Sequence, residues 1–201
     1  VMWAVGHSDA KTVSALLAAG AEPAPADAPD YSPMIEAAKG GRADVVALLA
    51  SRGLDCRAKD SLGVPAVSYA VAQVSSGTLK ALLACKADMN AKDAKGFTPL
   101  IRAVQLGANA AVRVLLARGA AGDARDGQGR TALMWAAQDG RADTAKLLLR
   151  AKADAGLKGA DGRTASDIAA ARGRAAVVAL LPAAAPGCAP LRAGRRLPRP
   201  A

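Results

Sequence analysis

Five short segments of this chain open in the same way at a near-constant step, and that periodicity restricts the fold more than any other feature. Counted on the residue that begins each segment, Ser32, Val64, Thr98, Thr131 and Thr164 are separated by 32, 34, 33 and 33 positions. A second marker keeps the step. Leucine pairs at Leu48-Leu49, Leu82-Leu83, Leu115-Leu116, Leu147-Leu148 and Leu180-Leu181 close what each opener begins. Two markers in phase predict a repeat architecture, in which each unit is one supersecondary element and neighbours stack to complete a shared core.

The local chemistry of a unit follows from its residues. Asp126-Gly127-Gln128-Gly129 supplies turn residues, with glycines where the backbone must reach positive φ. Thr131 stands at an N-cap position ahead of Leu133, Ala136 and Ala137, whose i, i+3, i+4 spacing predicts a short amphipathic helix ending near Gly140. A second helix through Leu147-Leu148-Leu149 follows, so the unit reads turn, helix, loop, helix. Alanines at Ala37-Ala38, Ala103 and Ala136-Ala137 let helices approach closely. Thin layers of Leu, Val and Ala also account for a composition that is 52% hydrophobic but only 2% aromatic.

These motifs resemble the ankyrin-repeat family. The resemblance is carried by Gly96-Phe97-Thr98-Pro99-Leu100, Gly129-Arg130-Thr131-Ala132-Leu133 and Gly162-Arg163-Thr164-Ala165-Ser166 at the openings, and by Gly20-Ala21-Glu22, Ala87-Asp88-Met89-Asn90-Ala91-Lys92-Asp93 and Arg118-Gly119-Ala120 at the exits. It implies an all-α solenoid of stacked helix pairs with hairpin or turn tips and a concave binding surface, about six units with the first one truncated. The expected units are 1–26, 27–59, 60–92, 93–125, 126–158 and 159–181, followed by a Pro/Ala/Arg-rich tail over 182–201 that reads as disordered. The family's characteristic His after Thr-Pro-Leu is replaced by Met2, Ile35, Val67, Ile101, Met134 and Asp167, which predicts a weaker polar network. The third unit is the least regular: Val64-Pro65-Ala66 opens it one residue short, and an extra residue falls near Val74-Ser75-Ser76-Gly77, predicting a deformed inter-helix loop. A Pro-rich variant at Ala21–Asp30 disfavours a hydrogen-bonded hairpin there. Val1-Met2-Trp3-Ala4-Val5 aligns with Leu133–Ala137, so the chain enters mid-unit, and the expectation is that further repeat sequence belongs before it, with Val1, Trp3 and Leu16 marking an apolar end.

Chemistry for catalysis is sparse. His7 is the single histidine and aligns with the exposed helix-end residue Asp139. Asp55, Asp60, Asp88, Asp93, Asp123 and Asp126 recur with the period and read as turn caps. There is no phosphate-binding glycine loop. Cys56, Cys85 and Cys188 are far apart without a Cys-x-x-Cys pair, which points to free thiols, with neither a disulfide nor a zinc site. No run of eighteen apolar residues is present, hence no membrane span is expected.

The expected function is therefore non-catalytic: an interaction module that binds a protein partner through residues differing from unit to unit while staying exposed, with no metal and no cofactor. A tip set (Tyr31, Ser61, Leu62, Lys95, Phe97, Gln128, Arg130, Arg163) and a helix-end set (His7, Lys39, Gln105, Leu106, Gln138, Asp139, Arg172) meet that criterion. The partner-binding candidates are Phe97, Lys95, Arg130, Gln128, Arg163, Gln105, Gln138 and Asp139. Phe97 leads, as an anchor beside Lys95 and Arg130, against the alternative that it only covers the neighbouring tip. Trp3 and Trp135 share one slot and read as packing residues.

Two other readings stand beside this one: a regulatory or targeting array of a longer enzyme, and polyanion binding through Arg192, Arg195, Arg196 and Arg199. The net charge is +10, and without those four arginines the remainder is a moderate excess spread over the chain, so nucleic acid is disfavoured. A monomer and a cytoplasmic location are expected, with export left open, and the Ala/Arg richness suggests a GC-rich bacterial gene.

Overall fold

A computed structural model describes residues 2–22, 32–73 and 75–181. The Pro-rich segment beyond Glu22, Tyr31, Val74 and the Arg-rich tail with Cys188 lie outside them. Among the described residues twelve helices follow one another in pairs: α1 (Met2–His7) and α2 (Ala10–Ala18), α3 (Pro33–Lys39) and α4 (Ala43–Ser51), α5 (Ala66–Ala72) and α6 (Ser76–Ala84), α7 (Pro99–Leu106) and α8 (Asn109–Ala117), α9 (Ala132–Asp139) and α10 (Ala142–Arg150), α11 (Ala165–Ala171) and α12 (Ala175–Val178). Each first helix packs on the first helix of the next pair, and each second helix on the next second helix, giving two parallel layers. Among the described residues there is no strand; the tips are turns, and one isolated bridge pairs Lys59 with Pro65.

The register is stricter than the sequence suggested. The N-caps of the first helices are Ser32, Pro65, Thr98, Thr131 and Thr164, a step of 33 throughout. Pro65, and not Val64, occupies the Thr slot. The apparent missing residue and the apparent insertion in the third unit were one misalignment, caused by matching Pro65 to Pro99. The loop residue Val74 lies outside the described residues, so the expected deformation there is not described. The same shift puts Ser68, rather than Val67, in the slot of the family's His. Its equivalents Ile35, Ile101 and Met134 are buried, and so is Ser68.

One leucine in each of the four middle units anchors the core: Leu49, Leu82, Leu115 and Leu148 are completely buried at the same step. Alanine keeps the first helices close, with Ala37, Ala70, Ala103, Ala136 and Ala169 also fully buried. At about 25 cal/mol per Å2 of apolar surface removed from water, no single pair encloses enough area to outweigh its ordering entropy, so the pairs must stack.

Capping of the first helices improves along the chain. Thr98 and Thr131 accept the N–H of Ile101 and Met134, and Thr164 forms a reciprocal capping box with Asp167. Ser32 and Pro65 make no side-chain cap bond. The tips form a backbone ladder across units: the N–H groups of Ala94, Gly127 and Ala160 donate to the carbonyls of Leu62, Lys95 and Gln128 at 3.2, 2.9 and 3.2 Å. A side chain at Gly96 would stand 2.6 Å from the Gly127 nitrogen, and Gly96 has φ of +78°, so both the ladder and the backbone require glycine there.

A correction concerns the cysteines. Cys56 and Cys85, expected as free thiols, form a disulfide with Cα atoms 6.1 Å apart. A short-spacing signature such as Cys-x-x-Cys does not reach this pair. In a solenoid a separation of 29 residues is close to one period, so residues distant in sequence stand side by side on adjacent units.

Candidate functional site

The tips are built around an aspartate nine residues before a first-helix donor. Asp93 Oδ1 accepts the N–H groups of Lys95 and Phe97, each at 2.9 Å, and its Oδ2 accepts from Arg102 Nη2 at 2.7 Å. Asp126 does the same with Gln128 and Arg130 at 2.8 and 2.9 Å, and with the Trp135 indole Nε1 at 2.9 Å. Asp60 holds the N–H groups of Leu62 and Val64 and accepts from the Tyr69 hydroxyl. Turn acids read from the sequence as backbone caps thus also fix Tyr69, Arg102 and Trp135, one step of 33 apart on α5, α7 and α9. Partial burial works against ionisation of Asp60, but the hydrogen bonds from Tyr69, Val64 and Leu62 outweigh it and lower its pKa. Donating to that carboxylate pushes Tyr69 up to about 12.

Rings and cations then alternate along this face. The Arg102 guanidinium lies 5.1 Å from the centre of the Phe97 ring, Phe97 meets Trp135 of the next unit edge-to-face at 5.8 Å, and Arg130 lies 3.7 Å over Trp135. Arg130 Nη1 reaches Gln138 Oε1 at 3.1 Å. One unit earlier in the array, Lys39 Nζ stands 5.0 Å over the Tyr69 ring.

Of the residues singled out from sequence, Phe97, Arg130 and Gln138 come together around Trp135. Lys95 and Gln128 sit on adjacent tips with exposed side chains, their carbonyls held in the ladder. Arg163 is tied to Asp161 at 2.8 Å one tip further. Gln105 and Asp139 belong to a different system, at the helix ends: Arg141 donates to the Gln105 carbonyl at 2.8 Å and pairs with Asp139 at 3.6 Å. Arg174 similarly donates to the Gln138 carbonyl at 3.4 Å, and a cation is well placed at those helix C-termini.

Phe97 covers its neighbour and remains half-exposed. Trp135 is half-buried and packs against the core, whereas Trp3 in the same slot is 72% exposed and stacks on His7 at 4.9 Å. Leu16 is half-buried, and Val1 lies outside the described residues. Tyr69 and Arg102 were not anticipated as site residues. Their signal was present in the nine-residue spacing from Asp60 and Asp93, shared by Asp126 and Trp135.

Among the described residues no three His, Cys, Asp or Glu side chains are placed to hold a metal ion, and no helix is long and apolar enough to cross a membrane. An open groove at the exits of α2 and α4, lined by Leu17, Gly20, Ala21, Glu22, Arg52 and Leu54, lies apart from the ring-bearing slots.

No curated protein matches the chain. A family model described as ankyrin repeats, in three copies, matches residues 67–159 and again 122–189. That model spans more than half of the sequence. The chain belongs to the ankyrin-repeat family.

Proposed function

We propose that this chain is a non-catalytic protein-interaction module whose partner lies along the concave face made by the tips and first helices, centred on Phe97. Ankyrin repeats are in general protein–protein interaction modules, and the reading adds a location to that general role. The observation that carries it is the row Arg102, Phe97, Trp135, Arg130 across two units. Asp93 holds Arg102, and Asp126 holds Trp135 and Arg130, so little entropy of those side chains remains to be lost on binding. Gln138 closes the row, while Lys95 and Gln128 flank it from the tips. Gln105, Asp139 and Arg163 lie at its margins, already engaged with Arg141 or Asp161.

The test is a variant carrying Phe97→Ala, Lys95→Ala and Gln128→Ala, which leaves every aspartate clasp intact, used as bait beside the unaltered chain. Partners captured by the unaltered chain are expected to weaken at least about tenfold, the equivalent of about 1.4 kcal/mol. Equal capture of every partner, with unchanged circular dichroism, removes this face from consideration.

A further inference from the structure

The segments that follow α4 and α6 carry Cys56 and Cys85, and their disulfide crosses the junction between two helix pairs. Cys56 is buried and fills the slot held by Met89, Gly122 and Ala155 in later units. Beside it, Arg57 takes the slot of Asn90 and Asp123. Those two side chains are joints: Asn90 Oδ1 accepts the N–H of Ala121, and Asp123 Oδ1 accepts the N–H of Asp154, each at 2.9 Å and each one unit on. A guanidinium has no acceptor. Arg57 therefore cannot receive the equivalent N–H of Asp88, and its Nε instead donates to the Lys86 carbonyl at 3.4 Å, a long bond. Among the described junctions with this slot, the covalent link stands at the one where the acceptor is missing.

We propose that the Cys56–Cys85 disulfide is a redox-sensitive joint: oxidised, it couples α1–α4 to the rest of the array, and reduced, it lets those helix pairs open locally. The chemistry is thiol–disulfide exchange. A thiolate of a dithiol reductant attacks one sulfur, Cys85 being the more exposed, and forms a mixed disulfide while the other sulfur leaves as thiolate. The reductant's second thiolate then closes its own disulfide and releases the remaining cysteine. Two electrons and two protons end on Cys56 and Cys85, and the reductant is oxidised by the same amount. The open state reaches the proposed binding face, because Lys39 on α3 and Tyr69 on α5 meet across this junction. Such a bond persists in oxidising compartments, so it favours export, which the sequence left open, over the cytoplasmic location it favoured.

The test is amide hydrogen exchange, read by mass spectrometry, on the air-oxidised chain, on the same chain in a phosphine reductant, and on a Cys56→Ser/Cys85→Ser variant with and without Arg57→Asn. Reduction is expected to speed exchange in α1–α4 by about tenfold or more and to leave α7–α11 within about twofold. The reductant should not affect the double serine variant, and Arg57→Asn should slow its α1–α4 exchange by restoring an acceptor for Asp88. Two titratable thiols at Cys56 and Cys85 in the air-oxidised chain would overturn the proposal. So would exchange indifferent to reduction, or exchange that rises equally through α7–α11. If the serine variant does not fold, the comparison of oxidised and reduced chain still decides.

Discussion

The junction between the α3/α4 and α5/α6 pairs and the junction between the α7/α8 and α9/α10 pairs do the same mechanical task with different chemistry. The later junction is assembled from hydrogen bonds: Asp123 to the Asp154 N–H, the Lys95 carbonyl to the Gly127 N–H, and Thr144 Oγ1 to Asn109 Oδ1 at 2.6 Å. The earlier one has Arg57 where an acceptor belongs, an N-cap at Pro65 without a side-chain bond, and a disulfide. What stacking demands is that each pair be fixed to the next. Which group supplies the link is open to substitution as long as the 33-residue register survives. The disulfide stands where Arg57 replaces the acceptor that Asn90 and Asp123 supply in later units.

The largest effect that would break this comparison comes from removing the two joints in turn. Closing a loop of 29 residues lowers the entropy of the unfolded chain by an amount worth about 3–4 kcal/mol. Replacing Cys56 and Cys85 by Ala should cost about that much, while Asp123→Ala, which removes one exposed hydrogen bond across the later junction, should cost about 1 kcal/mol or less. Denaturant melts of the three proteins decide the matter. Equal losses would mean that the disulfide is only decorative at a junction already held by its core.

Caps give the next effect. Thr131 accepts the N–H of Met134, whereas Ser32 stands in the same slot without a cap bond. Thr131→Ala should therefore destabilise by about 1 kcal/mol, and Ser32→Ala by only a few tenths. A thermal melt that lost as much from Ser32→Ala as from Thr131→Ala would dissolve the contrast between the two ends of the array.

The fold was legible because repetition multiplies a weak local signal. Thr131, Gly140 and the leucine of each unit say little alone, but recurring in phase they fix two layers of helices. The misread opener shows the limit: Pro65 resembles Pro99 chemically, and only the spacing to α6 reveals that it replaces Thr98. The site was legible in part. Phe97 and Arg130 stand out as interruptions of the pattern, but Tyr69 and Arg102 owe their position to hydrogen bonds from Asp60 and Asp93, a relation between two slots that inspection of one slot at a time does not expose. The disulfide escaped for the same reason, since adjacency across units is a property of the stack.

The smallest effect concerns acid, and it tests whether the tip clasp contributes in the earlier unit as well. Asp60 is shifted below its ordinary value of 3.8, with partial burial opposing and the Tyr69, Val64 and Leu62 hydrogen bonds favouring the ionised form. A depressed carboxylate contributes stability that is fully present above its unfolded pKa and disappears as the pH falls through the folded one. The chain should hence lose stability progressively below about pH 4, and Asp60→Asn should lower stability at neutral pH while making the acid limb shallower. Melting temperatures collected from about pH 6 to about pH 3 provide the readout. An acid limb of unchanged slope in Asp60→Asn would mean that the clasp is lost on folding's own terms before protonation matters, and that this tip is held by its backbone ladder to Ala94 and the bridge between Lys59 and Pro65 alone.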